Sequence, residues 1–461
     1  MSTSKTLSRK VGEGTFWMSL GSVLTKVIGI TYSIIIISRL SVYEYGLVEL
    51  SLSILPMLSL LSLTGLLPVI TADLVFLSTN NKINDMRNLL SSYISIRILL
   101  SIVAIFLLLG ATVVFDNYFH EDIILMVRLL VFSLIISPLK SLIFISYSIT
   151  HDFMKLSLFS LSGEVIKLAS VIVLFTVLDY GPLVAILAFV ISDVLTGLLF
   201  SPALFSMKKA LLANVMLTDY IFKPLHVLKN HAKWSVLQGG IYFFGQNIRL
   251  WIIQFFLGTQ AVGIYGVAMG MFQHVSSLFP LSRVIAPIIP AYLDDKSRLT
   301  QFINSAIKYQ LSILILFAVG SIIFVPFLIN AFFPEYVTAY PLFVLLTLTL
   351  IPGSFSRIFE TAFHALKLQK NLFTSNLVLF VMILIILPAS IYLFGLYGIA
   401  VEFFITGSIY TLGRYRVLKK IIQNYCFPPS LLFNLSTTDR ILFSKIRKFV
   451  INRIQLITNK I

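Results

Sequence analysis

Twelve long apolar runs divide this chain, and they limit what it can fold into more than any other feature. The runs are unbroken, rich in Leu, Ile and Phe, and cover residues 14–38, 46–71, 89–115, 123–147, 157–178, 183–205, 235–257, 263–291, 303–328, 340–365, 372–394 and 397–417. Each is close to the roughly 20 residues that a helix needs to cross the hydrocarbon core of a bilayer. A transmembrane β-barrel would show alternating segments of about 10 residues instead. The pattern therefore predicts an all-α polytopic membrane protein with about 12 transmembrane helices.

The composition supports the same conclusion. Of the 461 residues, 58% are hydrophobic and only 12% are charged, and the mean hydropathy is +0.95. Soluble domains carry about 25% charged residues. A water-soluble fold could not bury this much apolar surface, so the bilayer must act as the solvent for most of the chain.

The basic residues outside the runs indicate the orientation. Of the 35 Lys and Arg residues, 26 fall in the two termini or in the loops that follow even-numbered runs, when Lys308, Arg414 and Arg416 at the ends of their runs are counted with the adjoining loop or tail. Only Arg39 falls in a loop after an odd-numbered run. The positive-inside rule then predicts that both termini are cytoplasmic. The net charge of +16 is interpreted as an orientation signal with attraction to anionic lipids, and no nucleic acid partner is expected. Residues 1–13 contain no apolar core, so no cleaved signal peptide is expected.

A weak internal repeat indicates two similar halves. At a constant offset, Trp17 corresponds to Trp234 and Gly46 corresponds to Gly263. Because both halves begin on the cytoplasmic side, the repeat is parallel, as in transporters with two lobes around a central cavity. We predict two pseudo-symmetric six-helix bundles around such a cavity. The expected organisation is an N-terminal lobe at 1–205, a basic cytoplasmic linker at 206–234, a C-terminal lobe at 235–417 and a basic amphipathic tail at 418–461.

Basic side chains inside the runs are candidates for a binding site. A charge at bilayer depth costs about 2.5–3.5 kcal/mol on insertion scales, so such residues face a wet cavity or pair with each other. In the runs, basic residues with no acidic residue nearby outnumber acidic residues with no basic residue nearby, which favours an anionic ligand. Arg and Lys suit phosphate or diphosphate. The candidate ligands of a diphosphate are Lys26, Arg249, Arg283, Lys140 and Lys167. For Lys26 an ion pair between helices, with Asp193 as partner, is the alternative.

Acidic side chains in the runs are candidates for binding a coupling proton or Na⁺. These candidates are Asp193, Glu164 and Glu360. Glu164 with Lys167, and Arg357 with Glu360, are three residues apart, so each pair is also a candidate for a structural ion pair on one helix face. Glu49 is expected near the outer interface, where its carboxylate can reach water.

The motifs of common enzyme classes are not found. The sequence contains no Walker A motif, no HExxH and no GxSxG in a usable setting. Cys426 is the only cysteine, so no disulfide and no cysteine-based metal site is predicted. Every loop predicted on the outer side is short. These features favour a transporter that has no cofactor over an enzyme.

Two short segments resemble a known family. The first runs from Gly14-Thr-Phe-Trp17 through Gly21 to Ser38-Arg-Leu-Ser-Val-Tyr-Glu44-Tyr45-Gly46-Leu47, and Leu257-Gly-Thr-Gln-Ala-Val-Gly263-Ile-Tyr265 is its counterpart in the second half. They resemble the Wzx-type flippases of lipid-linked oligosaccharides. The specific motif covers about 35 residues, while the similarity of plan covers the whole chain.

This resemblance implies a fold and a function. The fold would be that of the multidrug/oligosaccharidyl-lipid/polysaccharide exporter superfamily. The cargo would be a polyprenyl diphosphate-linked oligosaccharide, flipped from the cytoplasmic to the outer leaflet of the cell membrane by alternating access. A polysaccharide polymerase and other assembly proteins would be partners. Two alternatives stay open: a small-molecule cation antiporter of the same superfamily, and a membrane enzyme such as a polymerase or ligase. The related lipid II flippases typically have 14 spans.

Overall fold

The computed structural model describes residues 2–58, 67–80, 82–114, 121–177, 181–204, 233–278, 281–286, 288–292, 295–422 and 425–432. Within these ranges every regular element is a helix. The helices are α1 Ser2–Arg39, α2 Val42–Met57, α3 Leu67–Thr79, α4 Ile83–Val114, α5 Glu121–Leu129, α6 Val131–Ile149, α7 Phe153–Val177, α8 Pro182–Leu199, α9 Lys233–Leu257, α10 Thr259–Ser277, α11 Leu281–Ile285, α12 Lys296–Phe332, α13 Ala339–Thr347, α14 Leu350–Ala365, α15 Gln369–Phe394 and α16 Gly398–Ile421. Most of the predicted linker and most of the predicted amphipathic tail lie outside the described residues.

Each predicted apolar run coincides with one helix or with two consecutive helices. The broken runs are those of α2 and α3, α5 and α6, α10 and α11, and α13 and α14, the last pair bent by 52°. Among the described residues, seven segments are long and apolar enough to cross a bilayer by themselves, and the bent pair would be an eighth. Helices α9 and α10 are not among them because they carry polar residues on the face of an internal cavity. Twelve crossings therefore stay a prediction.

The outer surface of the bundle is apolar, as a bilayer requires. Large hydrophobic side chains are strongly exposed on α4, α9, α12 and α15, for example Phe106, Phe255, Leu316 and Ile385. The interior, in contrast, contains charged side chains, such as Arg249 and Arg414. The surface is thus apolar like the core, unlike that of a soluble protein, because the surrounding solvent is hydrocarbon and the polar groups must be satisfied inside.

The family-like motif at residues 40–46 has a local structural reason. Ser41 caps the N-terminus of α2 by accepting a hydrogen bond at Oγ from the Glu44 backbone N–H (3.3 Å). The Glu44 carboxylate accepts one in return from the Ser41 N–H (2.9 Å). This capping box satisfies two backbone donors that the helix start would leave free. It fixes where α1 ends and α2 begins, and so orients the next turn of α2.

The two halves of the chain meet where α2 packs against α9 and α10. Gly46 on α2 and Gly263 on α10 lie at the closest approach. A Cβ built on Gly46 would lie 2.2 Å from the Thr259 carbonyl oxygen, and one built on Gly263 would lie 2.0 Å from the Val42 carbonyl oxygen. The glycines that the repeat matched by sequence thus face each other where α2 packs on α10. The absence of a side chain at both positions lets the two backbones touch.

Alanine at Gly46 is expected to destabilise the protein by about 1–3 kcal/mol, because the added methyl group cannot fit without separating α2 from α10. A lower unfolding temperature of the purified protein would show this. Gly110 on α4 has no atom within 4 Å of an added Cβ, so Gly110→Ala is the matched control and should be neutral. An unchanged unfolding temperature for Gly46→Ala would contradict the close contact.

Candidate functional site

A polar cavity of about 570 Å³ lies at the junction of the two halves. Its walls are formed by α2 from the first half and by α9, α10, α14 and α16 from the second. The charged residues on these walls are Glu49, Arg249, Arg357 and Glu360. Most of its lining belongs to the second half, and Glu49 and Pro56 of α2 come from the first; this space is called the central cavity below.

Arg249 is held in a buried ion pair. Its Nε and Nη2 donate to the two carboxylate oxygens of Glu402 at 3.1 and 3.0 Å, and both side chains are at most 1% exposed. Its Nη1 donates to Gln246 Oε1, and the Phe403 ring lies 4.0 Å from its Cζ. The hydroxyl of Thr406 donates to Glu402 as well (2.9 Å). Because the Arg249 guanidinium already makes this bidentate contact with a carboxylate, its positive charge on the cavity wall is neutralised by Glu402.

A second arginine, Arg414, fixes the carboxylate of Glu360. Its Nη1 lies 3.0 Å from Glu360 Oε2 and also donates to the backbone oxygen of Ser356. Its Nη2 donates to the Tyr410 hydroxyl, which donates to Asn376. The sequence analysis counted Arg414 with the cytoplasmic tail and treated Arg357 and Glu360 as a candidate ion pair. Instead, α16 continues to Ile421 and buries Arg414 beside α14, where it pairs with Glu360.

Arg357 and Lys26 both meet the C-terminus of α10. Arg357 Nη1 donates to the backbone oxygen of Ser276 at 2.5 Å, and Lys26 Nζ donates to that of Ser277. The last carbonyl groups of a helix lack partners within it and carry partial negative charge, so they attract cations. Lys26 belongs to the first half of the chain and Arg357 to the second. Among the described residues, no carboxylate oxygen lies within 4 Å of the Arg357 guanidinium.

The charges on the cavity wall are balanced. Two arginines and two glutamates line it, and after the pairing of Arg249 with Glu402 and of Glu360 with Arg414, Arg357 and Glu49 remain. The basic surplus predicted for the cavity is therefore not found among its described lining residues. Glu49 was expected near the outer interface but lies on the cavity wall. Its position in the run did not reveal this, because depth along a helix does not show which way a side chain points.

Lys140 and Asp193, both predicted site residues, form an ion pair in the first half of the chain. They line a separate polar pocket of about 260 Å³ together with Ser133, Ser137 and Ser141. Arg97 on α4 is buried beside it and donates to the Ser137 hydroxyl. Asp193 thus pairs with Lys140 rather than with Lys26.

The remaining predicted residues lie elsewhere. Lys167 Nζ is 2.7 Å from Glu164 Oε2, which confirms the predicted ion pair on α7, and it lies over the Tyr32 ring. The side chain of Arg283 lies outside the described part of the structure. Of the five candidate diphosphate ligands, Arg249 lines the central cavity. Arg357 was not one of the five, because the sequence analysis considered it for an ion pair, but it lines this cavity as well.

An apolar cleft of about 380 Å³ adjoins the central cavity. It lies between α1, α10 and α12, and its wall includes Leu316 and Phe324, which are 71% and 60% exposed on the lipid-facing surface. Gly270 on α10 lines both the polar cavity and the apolar cleft, and no atom lies within 4 Å of a Cβ built on it. The two spaces therefore lie on neighbouring faces of α10 and share Gly270 as a wall residue, with a charged wall in one space and an apolar wall in the other.

Comparison with known proteins identifies both family and fold. The family model described as "Polysaccharide biosynthesis protein" matches residues 11–293. No curated protein matches the chain significantly in sequence.

Solved structures of low identity share the fold. An inward-facing multidrug resistance MATE family transporter of the MOP superfamily has a TM-score of 0.74 and 14% identity, covering 86% of this chain and 94% of that one. The lipid II flippase MurJ in an inward closed conformation has a TM-score of 0.68 and 18% identity, covering 87% of both chains. An outward-facing MATE transporter has a TM-score of 0.60 and 14% identity, covering 90% of this chain and 95% of that one. These likenesses confirm the predicted fold class.

Proposed function

The chain belongs to the polysaccharide biosynthesis protein family, and on that premise we propose that it flips a polyprenyl diphosphate-linked oligosaccharide across the cytoplasmic membrane. The cargo moves from the cytoplasmic to the outer leaflet, where surface polysaccharide is assembled. The family supports the Wzx-type resemblance seen in the sequence. The shared fold of MurJ, a lipid II flippase, adds that this architecture can serve a lipid-linked substrate.

The observation that carries the proposal is that a polar cavity and an apolar cleft lie side by side and share Gly270 in their walls. A lipid-linked oligosaccharide has a charged, hydroxyl-rich head and a long apolar chain, joined by a diphosphate. Its head suits the central cavity, whose volume lies within the roughly 300–1,000 Å³ typical of ligand pockets. Its prenyl chain suits the cleft, which reaches the lipid-facing surface, so the bond between head and chain passes Gly270.

Arg357 is the cavity residue best suited to the diphosphate. Among the described residues, its guanidinium donates a hydrogen bond only to the backbone oxygen of Ser276, which is a neutral group. A charge-assisted, bidentate contact to phosphate is stronger than a hydrogen bond to a neutral carbonyl. The incoming diphosphate can therefore displace the carbonyl without breaking a buried ion pair. Arg249 would have to leave Glu402 to do the same. Gln246, Asn247 and Gln273 on the same walls offer amide groups for sugar hydroxyls.

Alternating access is supported by how the halves touch. With the N-terminus cytoplasmic, Gly46 and Gly263 lie near the outer side, where the two backbones are in contact. Opening outward would separate α2 from α10 at the glycine pair and close the cytoplasmic ends.

Export of a small organic cation is the second candidate function, because Glu49 leaves one carboxylate on the cavity wall without a basic partner among the described residues. The apolar cleft and the family match favour the lipid-linked cargo. The same liposomes can test both substrates.

The test is flipping in liposomes that contain the purified protein and a polyprenyl diphosphate-linked oligosaccharide. A membrane-impermeant glycosidase measures the fraction of cargo in the outer leaflet. The wild type should equilibrate cargo that protein-free liposomes hold in place. Gly270→Trp should slow flipping at least about tenfold, because the indole fills the open space beside Gly270, and an added barrier of about 1.4 kcal/mol corresponds to that factor.

The matched control is Gly110→Trp, since Gly110 also has open space around it but lies on the exposed face of α4. It should flip cargo at the wild-type rate. Flipping by Gly270→Trp at that rate would contradict the path past Gly270. A well-folded wild type that moves an organic cation but not the glycolipid would contradict the proposed function itself.

A further inference from the structure

Glu49 is the charged group of the central cavity that the ion pairs leave unexplained. It lies on α2 and packs against α10, where Gly266 makes room for it: a Cβ on Gly266 would lie 2.8 Å from Glu49 Cγ and 3.2 Å from Cδ. The side chain also lines the cavity. Glu49 therefore lies both at the contact between the two halves and in the space proposed for the diphosphate.

Tyrosine hydroxyls, rather than bases, are the nearest titratable groups to the Glu49 carboxylate. Tyr45, one turn earlier on α2, Tyr265 of α10 and Tyr32 of α1 all lie close enough to interact with it electrostatically. The bases on the other cavity walls are Arg249, which pairs with Glu402, and Arg357. Among the described residues, no Lys, Arg or His nitrogen lies within 4 Å of the carboxylate.

The other intramembrane glutamates and Asp193 differ from Glu49 in this respect. Glu164, Asp193, Glu360 and Glu402 are each within ion-pair distance of Lys167, Lys140, Arg414 and Arg249 respectively. A carboxylate held by a cation resists protonation, since the cation favours its charged form. The three residues that the sequence analysis proposed for ion coupling all belong to this paired group. Glu49 is the carboxylate of the cavity wall that can gain or lose a proton without breaking such a pair.

We infer that Glu49 is the proton site linked to cargo binding: it takes up a proton from water when a diphosphate occupies the central cavity and releases it when the diphosphate leaves. The inference rests on the proposed function. A diphosphate and an ionised carboxylate repel each other in a cavity poor in water, and protonation removes that repulsion. Linkage is reciprocal, so bound diphosphate raises the proton affinity of Glu49 by the same factor as the proton raises the affinity for diphosphate.

The test measures binding of inorganic pyrophosphate to the purified protein by calorimetry between pH 6 and 8. Repeating the titration in buffers of different ionisation enthalpy counts the protons taken up. Wild-type protein should take up protons beyond those expected from pyrophosphate's own ionisation. At pH 8, wild-type protein should bind pyrophosphate about tenfold more weakly than Glu49→Gln does. This is the effect of a unit charge roughly 10 Å away at an effective dielectric constant near 20. At pH 6 the two proteins should converge.

His151, exposed in the turn between α6 and α7, is the control, because an unperturbed histidine titrates in the same pH range and this one lines neither the central cavity nor the apolar cleft. His151→Gln should keep the wild-type pH dependence. Wild-type protein without excess proton uptake, or Glu49→Gln with wild-type pH dependence, would overturn the assignment to Glu49 and leave the flippase proposal standing. Wild-type protein that binds no pyrophosphate at any pH would overturn the proposed diphosphate site and this inference with it.

Discussion

Replacing Arg357 by alanine is expected to slow flipping of the lipid-linked oligosaccharide by roughly 10- to 100-fold, the effect of losing a charge-assisted hydrogen bond worth about 1.5–3 kcal/mol. Arg357 is the arginine of the cavity wall that forms no ion pair with a carboxylate among the described residues. It donates a hydrogen bond to the backbone oxygen of Ser276. The measurement is the rate at which cargo becomes accessible to the impermeant glycosidase. Binding of inorganic pyrophosphate should weaken in parallel.

Two further variants separate a role in binding from a loss of charge or of structure. Arg357→Lys keeps the positive charge but cannot contact a phosphate with two parallel N–H groups, so it should recover only part of the rate. Arg298 is 74% exposed and pairs with Asp295 at the start of α12, so Arg298→Ala should leave flipping unchanged. A wild-type rate in Arg357→Ala would exclude this residue from the diphosphate site.

Leucine in place of Glu402 is expected to cost about 3–5 kcal/mol of stability, because it leaves the Arg249 guanidinium buried without its counter-charge. Both side chains are at most 1% exposed, so water cannot replace the carboxylate. The unfolding temperature of the purified protein should fall by several degrees. Lys155→Ala is the comparison for an exposed pair, since Lys155 is 59% exposed beside Asp152, and exposed pairs contribute about 0–1 kcal/mol.

The double variant Arg249→Met/Glu402→Leu decides what Arg249 does. It replaces the pair by apolar side chains of similar volume, which commonly restores stability. If the pair is structural, the double variant should be stable and should still flip cargo. If Arg249 binds the diphosphate, as the sequence analysis proposed, the double variant should be stable and inactive. A double variant as unstable as Glu402→Leu would contradict the argument from the unpaired charge.

Local features of the chain were predictable because their causes are local. Apolar runs predicted helices at the observed positions, and Ser41 with Glu44 forms the capping box that the motif contains. Glu164 and Lys167 pair because they lie on one face of α7. The same spacing failed for Arg357 and Glu360. There, each side chain instead contacts a group on another helix, the Ser276 carbonyl group for Arg357 and the Arg414 guanidinium for Glu360.

Contacts between helices account for the rest of the site. The repeat matched Gly46 with Gly263 by sequence, but only the packing of α2 on α10 shows that they touch. Glu49 lies on the cavity wall because α2 turns that face toward α10, which hydropathy does not report. Arg249 was taken as lacking an acidic partner because Glu402 is 153 residues away.

The sequence by itself determined the class of molecule, because the free energy of placing apolar runs in a bilayer is additive along the chain. It also determined the predicted orientation and the family. Tertiary structure alone decided which charges are neutralised, where the polar cavity lies beside the apolar cleft, and which arginine and which glutamate remain available there. Those properties depend on distances of a few ångströms between side chains on different helices, and electrostatic pairing changes steeply over such distances.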